Sequence, residues 1–321
     1  MSRNWSAHYV IASSALVLVA LLSLVVGAAG LSLSELVSAL QHEAGSEAAT
    51  AIVYEIRIPR LLAAALVGAT LALAGTILQA SFSNPVVDPS LVGLSGVAGL
   101  GAMVGGLLTA NGVAATVVAI AATIAAMHWL SSTRTDSLHL LLSGFALGAF
   151  TQGALATLSN FGAFGQGKSM NSWLFGSVAV ATYDALPWLV VGLGVASALL
   201  WRLGVPMDIL AADPQSAFAL GVDVTQLRRR LLLAAAVVVA PAVVWFGVVG
   251  FVGLLVPHAL RALGVINHRQ LLPLSAICGA IVVLLADTAA RSLIPMTEIP
   301  LTVLLALAGA PLLLASVRRL K

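Results

Sequence analysis

The sequence predicts an all-α polytopic membrane protein of about ten transmembrane helices with an inverted repeat. Three observations point there. Hydrophobic residues make up 60% of the 321 residues and charged residues 8%, whereas a soluble domain carries charge on about a quarter of its residues. The apolar residues fall in continuous runs near the ~20 needed to cross hydrocarbon as a helix, without the alternation of a membrane barrel. The basic residues are spread unequally over the segments that join these runs.

In order, the apolar spans are 10–31, 58–82, 91–110, 113–130, 138–159, 186–203, 231–252, a short 253–266, 271–293 and 299–317. The first exceeds the apolar core of a secretory signal and opens a multi-span chain, so it is read as an uncleaved helix. Residues 171–183 are expected to form a short surface or re-entrant helix. With the N-terminus inside, the inner segments carry Arg3, Arg134, Arg202, Arg228, Arg229, Arg230, Arg261, Arg269, Arg318, Arg319 and Lys321. The outer segments carry only Arg57, Arg60, Lys168 and Arg291. The positive-inside rule therefore predicts cytoplasmic termini.

The run after Arg60, Leu-Leu-Ala-Ala-Ala-Leu-Val, resembles the run after Arg230, Leu-Leu-Leu-Ala-Ala-Ala-Val. One starts outside and the other inside, as an inverted repeat requires. Two breaks are expected in comparable places, at Asn84-Pro85-Val86-Val87-Asp88-Pro89 and at Val256-Pro257-His258. Polar backbone at membrane depth is tolerated where it lines a cavity or sits inside protein.

Residues 162–169, Gly-Ala-Phe-Gly-Gln-Gly-Lys-Ser, match the phosphate-loop pattern, and Val282 to Asp287 imitates its acidic partner motif. A phosphate loop joins a strand to a helix in a soluble α/β domain. Here the pattern follows a membrane span with no room for such a domain, so it reads as an outer loop. The single Cys278 excludes a disulfide framework or cysteine metal site and reads as core packing. His8, His42, His128, His139, His258 and His268 are scattered without metal-ligand spacing, which argues against a membrane enzyme. Ionisable groups inside the spans amount to Asp287 and Arg291, near one end, too few for an ion-coupled secondary transporter. Residues 212–230 form a polar, helix-prone stretch broken by Gly221 and closed by three arginines, suited to meeting a soluble partner.

Several motifs stand in order from Arg57 onward: Arg57-Ile58-Pro59-Arg60, Gly68-Ala69, Gly75, Gln79 and Asn84 to Pro89. Leu220-Gly221, Phe251 to His258, His268-Arg269, Leu285-Ala286-Asp287 with Arg291, and Glu298-Ile299-Pro300 follow. Together they resemble the permease subunits of ABC importers for iron–siderophores, haem and vitamin B12, the FecCD type. Val86 stands where that family usually has leucine.

The resemblance implies a type II importer permease fold in a single domain, 1–321, within the bacterial inner membrane. It implies a homodimer, two cytoplasmic ABC ATPases and a periplasmic substrate-binding protein, with no nucleic-acid partner. It implies no catalytic site, metal or cofactor on this subunit, with ATP and Mg on the ATPase. By the family's pattern, Arg57, Arg60 and Arg291 would dock the binding protein. Ala217, Leu220, Gly221 and Val222, within a coupling segment at 212–230 made of two short helices hinged near Leu220-Gly221, would meet the ATPase, with Arg228–Arg230 as anchors. Asn84, Val86 and Ser143 would form the cytoplasmic gate. The expected cargo is an iron chelate, haem or ferric siderophore, with cobalamin as the alternative.

Overall fold

The computed structural model describes residues 5–27, 30–43, 46–109, 111–133, 137–159, 170–294 and 298–318. The phosphate-loop look-alike at 162–169, with Lys168, lies outside them, as do Arg3, Arg134, Arg319 and Lys321.

Each apolar run becomes a helix, because a buried backbone in hydrocarbon must satisfy its own hydrogen bonds. These helices are α1 (Trp5–Val25), α4 (Ile58–Ser81), α5 (Leu94–Thr109), α6 (Gly112–Thr133), α7 (Ser137–Ser159), α9 (Leu186–Leu200), α12 (Val224–Phe246), α13 (Val252–Ala262), α14 (His268–Ala290) and α15 (Leu301–Arg318). Among the described residues seven helices are long and apolar enough to cross a membrane, and α5, α13 and α15 contribute shorter apolar stretches. Between α1 and α4 lie α2 (Leu33–Leu40), α3 (Glu47–Ala51) and a π-helical turn, Ile52–Arg57. Ser32 opens α2 with a capping box, its hydroxyl accepting from the Glu35 N–H while the Glu35 carboxylate accepts from the Ser32 N–H. Glu35 is thereby held below its ordinary carboxylate range.

The centre of the bundle is the antiparallel pair α4 and α14. A Cβ built on Gly68 would stand 2.1 Å from the Gly279 carbonyl oxygen, and one on Gly279 would stand 2.5 Å from the Ala72 Cβ. Small residues set this backbone approach, which is how helices associate where burial from water supplies no drive. The two similar runs begin at opposite ends of the bundle: Arg60 starts α4, whereas Arg228, near the start of α12, donates Nε to the Ser81 carbonyl at the far end of α4.

The first expected break is observed, since residues 84–93 are not helical. The second lies earlier than expected. The chain leaves its helical path at Gly247 to Phe251, where Phe251 has φ +71°, and α13 then runs straight through Pro257. A proline lacks the N–H that would bond the carbonyl four residues back, here that of Gly253. Gln79 supplies the missing donor, its Nε2 lying 3.0 Å from the Gly253 oxygen. Residues 170–175 form α8 (Met170–Phe175). The chain after it re-enters the bundle, with Ser177 N–H donating to the Phe246 carbonyl and Gly176 accepting from the Leu301 N–H. Cys278 is half-buried against the core.

Candidate functional site

Three groups of residues carry the candidate function: one at the Arg60 end of the bundle, one at the Gly221 end, and a broken segment near the latter.

At the Arg60 end, Arg57 and Arg291 hold the last carbonyls of α1. Arg57 Nη1 donates to the Leu24 carbonyl and, at 3.2 Å, to that of Val25. Arg291 Nη2 donates to the Ser23 carbonyl at 2.6 Å and its hydroxyl at 2.7 Å. The C-terminal carbonyls of a helix lack intrahelical donors and attract positive charge. For α1, otherwise largely exposed along its length, these bonds tie its end to the bundle. Arg60 reaches Asp287 with Nη2 to Oδ1 at 2.8 Å and Nε at 3.0 Å, and Glu298 with Nη1 at 2.7 Å. Arg291 Nε lies 3.6 Å from the other Asp287 oxygen, one helical turn on. The arginines expected to dock a binding protein are thus brought together but turned inward: Arg57, Arg60 and Arg291 are 4%, 7% and 9% exposed. Among the described residues the exposed charged groups between α1 and α4 are carboxylates, Glu35, Glu43, Glu47 and Glu55, and the exposed Glu298 bonds Arg60 directly.

At the Gly221 end, the short helices are α10 (Gly204–Ala212) and α11 (Pro214–Ala219). Within 212–230 the chain forms α11 and the first turns of the long α12, to which Arg228 to Arg230 belong. The chain bends at Asp213, between α10 and α11, and again at Leu220-Gly221, between α11 and α12. Asp213 caps α11, accepting from the backbone N–H of Gln215 at 3.2 Å and of Ser216 at 2.8 Å, with Pro214 at the first helical position where its missing N–H costs nothing. The Ser216 hydroxyl and these N–H groups hold the Asp213 carboxyl below its ordinary range. Gly221, at φ +80°, ends α11 in a left-handed turn open to glycine. Ala217 is fully buried, because it faces back onto its own chain, so its methyl cannot touch a partner. The protruding side chains are Leu220 and Phe218, the latter 78% exposed, with Val222 half-buried.

Between the two, Asn84 Oδ1 accepts from the Val86 N–H at 3.0 Å, fixing a turn that leaves Val86 exposed. Ser143 lies on α7, beside Gly144, which packs on Val92. The broken backbone is satisfied by two buried polar residues. Gln79 bonds the Val87 and Gly253 carbonyls through Nε2 and accepts from Arg261 Nη1. Asp88 accepts from Ser90 N–H at 2.9 Å and Ser90 Oγ at 2.6 Å and from the Leu254 N–H at the start of α13, where the helix dipole favours an anion. The segment is also tied to the short helices. Ser83 Oγ donates to the Leu210 carbonyl of α10 at 2.8 Å, and Asp208 of α10 accepts from the His268 backbone N–H at 2.8 Å while meeting its Nδ1 at 2.6 Å. These ties surround a cavity of 280 Å³ lined by Gln79, Asn84, Asp208, Arg261 and His268. The sequence marked Gln79 and Asp88 only as motif letters and did not single out Ser83, Asp208 or Phe218. Polar residues at membrane depth were the available signal for the first two.

A model of the FecCD transport family matches residues 15–319. The cobalamin import system permease protein BtuC of Halobacterium salinarum is 39% identical over 285 residues, covering 85% of this chain and 74% of that protein. The vitamin B12 import system permease protein BtuC of Vibrio cholerae is 39% identical over 273 residues, 81% of each chain. A solved structure described as an inward-facing conformation of a metal-chelate type ABC transporter superposes with TM-score 0.80 at 31% identity, over 96% of this chain and 97% of that one.

Proposed function

Because the chain belongs to the FecCD transport family, we propose that it is the permease subunit of an ATP-driven importer whose cargo is a corrinoid of the vitamin B12 type. The observation that carries the cargo is the similarity, over four-fifths of the chain, to relatives named as cobalamin or vitamin B12 permeases. It displaces the iron chelate expected from the sequence. The metal-chelate description of the structural neighbour keeps haem or a ferric siderophore as the second reading.

The assembly that fits is a homodimer in the bacterial inner membrane, both termini cytoplasmic, with a periplasmic binding protein on the Arg60 end and two ABC ATPases on the Gly221 end. ATP is hydrolysed on the ATPases. Phe218, Leu220 and Gly221 with Val222 form the contact for an ATPase. Its movement reaches the gate at Asn84, Val86 and Ser143 through the bonds from Ser83 to Leu210 and from Asp208 to His268. A small polar and apolar constriction seals against water without gripping cargo. At the other end, docking by Arg57, Arg60 and Arg291 requires each to exchange an internal bond for an external one. Glu298, half exposed at its carboxylate, is the partner of Arg60 that a docking carboxylate can replace.

The test is uptake into proteoliposomes holding this chain, its ATPase and its binding protein, with cyanocobalamin, haem and a ferric siderophore offered separately. ATP-dependent accumulation of cobalamin alone is expected. Accumulation of haem or siderophore in its place assigns the second reading.

A further inference from the structure

A groove of 780 Å³ runs between α9, α14 and α4, with Trp201, Arg202 and Arg269 at its mouth. Its deep wall includes Leu73, Leu193 and Ala276. These lie seven or eight residues inside the Gly221 ends of their helices, about 10–12 Å below the arginines at 1.5 Å per residue. Among the described residues no carboxylate lines the groove, so the two guanidinium groups meet no counter-charge from them there. The Arg269 stem lies directly on Gly204, where an added Cβ would come within 2.5 Å of Arg269 Cγ. Pro273, in the wall, has no N–H to give the Arg269 carbonyl.

We propose that this groove binds one anionic phospholipid of the phosphatidylglycerol type. Its phosphate pairs with Arg202 and Arg269, its glycerol hydroxyl donates to the Arg269 carbonyl, and its acyl chains fill the apolar depth. Basic pockets between membrane helices recognise anionic headgroups through this combination of charge and adjoining hydrocarbon. Trp201, 82% exposed, sits at the mouth where an amphipathic ring prefers the membrane–water boundary. A soluble partner could cover the arginines but not a wall that continues 10–12 Å into apolar depth at about 1.5 Å per residue.

The experiment is native mass spectrometry of the full chain in detergent, equilibrated with phosphatidylglycerol or phosphatidylcholine. The expected result is one retained phosphatidylglycerol per chain. Arg202→Gln with Arg269→Gln should lower that retention roughly 10- to 30-fold, from about 1 kcal/mol per arginine, leaving phosphatidylcholine unchanged. Arg229→Gln with Arg230→Gln, exposed at the same end but outside the groove, should retain the lipid. Ser197→Trp, which fills the groove from an exposed position of α9, should also expel it. Equal retention by the arginine variant overturns the proposal, as does displacement by inorganic phosphate, which would mark a free-anion site. Quenching by brominated lipid, compared between the native chain and Trp201→Phe, reports the occupant in membranes. Loss of fluorescence from Trp201 is expected, and its protection by a second copy of the chain would overturn the assignment.

Discussion

Arg60 and Asp287, 227 residues apart in the chain, close the seam between α4 and α14 with hydrogen bonds of 2.8–3.1 Å, both side chains nine-tenths or more buried. Asp287 also faces Arg291, so this carboxylate serves two guanidinium groups, one of which it shares with Glu298. Asp287→Ala should therefore destabilise the chain by about 3–5 kcal/mol, since it leaves buried positive charge uncompensated. Replacing both partners, Arg60→Met with Asp287→Leu, should cost less, since only Arg291 is then left without its carboxylate. Denaturant unfolding in detergent, followed by circular dichroism, separates the two.

Glu298 holds the exposed side of Arg60. If a docking carboxylate replaces it, Glu298→Gln should tighten binding-protein association several-fold, mostly in the association rate, as charge changes at a rim do. Surface plasmon resonance on the reconstituted complex measures this, and unchanged kinetics would confine Arg60 to its internal bonds. Charge reversal at Arg60 is the poorer test, because it sets a new carboxylate beside Asp287 and Glu298 and disturbs folding and docking together.

The α4–α14 approach makes a sharp contrast between glycines. Gly68→Ala places its methyl 2.1 Å from a carbonyl oxygen and should cost about 1–3 kcal/mol or more by overpacking. Gly106→Ala, in α5 with nothing within 4 Å, should be neutral or stabilising by up to about 1 kcal/mol through helix propensity. Unfolding of the two variants side by side tests the assigned seam.

Phe218→Ala should reduce co-purification of the ATPase several-fold while leaving the helical circular dichroism of the permease intact, because Phe218 protrudes from α11 without supporting it. Equal co-purification would remove Phe218 from the contact.

Asp213 gives the short helices a pH dependence of defined sign. Its carboxyl titrates below the ordinary aspartate value, lowered by Ser216 and Gln215. The cap is thus fully present above about pH 4, the unfolded range, and is lost as pH falls through the lowered folded value. Hydrogen exchange in α11 should accelerate below that range. Asp213→Asn, which caps without titrating, should abolish the pH dependence.

Much of this arrangement is legible in the chain. The ten apolar runs mark the helices, Asn84 to Pro89 marks a break, Asp213-Pro214 carries a helix-start signal, and Gly221 marks the turn that follows. Pro257 misleads, because a proline reads as an interruption whereas Gln79, on another helix, supplies the donor its carbonyl partner lacks. The arginines mislead likewise: their types suit docking, but their direction depends on carbonyls of α1 and carboxylates of α14 and beyond.

By itself the sequence determined that this is a multi-pass helical membrane protein of the permease type, because hydropathy, charge asymmetry and motif order are properties of local chain. Only the tertiary structure decided which polar groups are satisfied internally and which are presented. Arg57, Arg60 and Arg291 face inward, Ala217 is buried while Phe218 protrudes, and Arg202 and Arg269 meet at one groove. The inward turn of the three arginines is settled by pairing between residues far apart in the chain, in a medium where an unpaired polar group costs several kcal/mol and so takes whichever partner the packing brings.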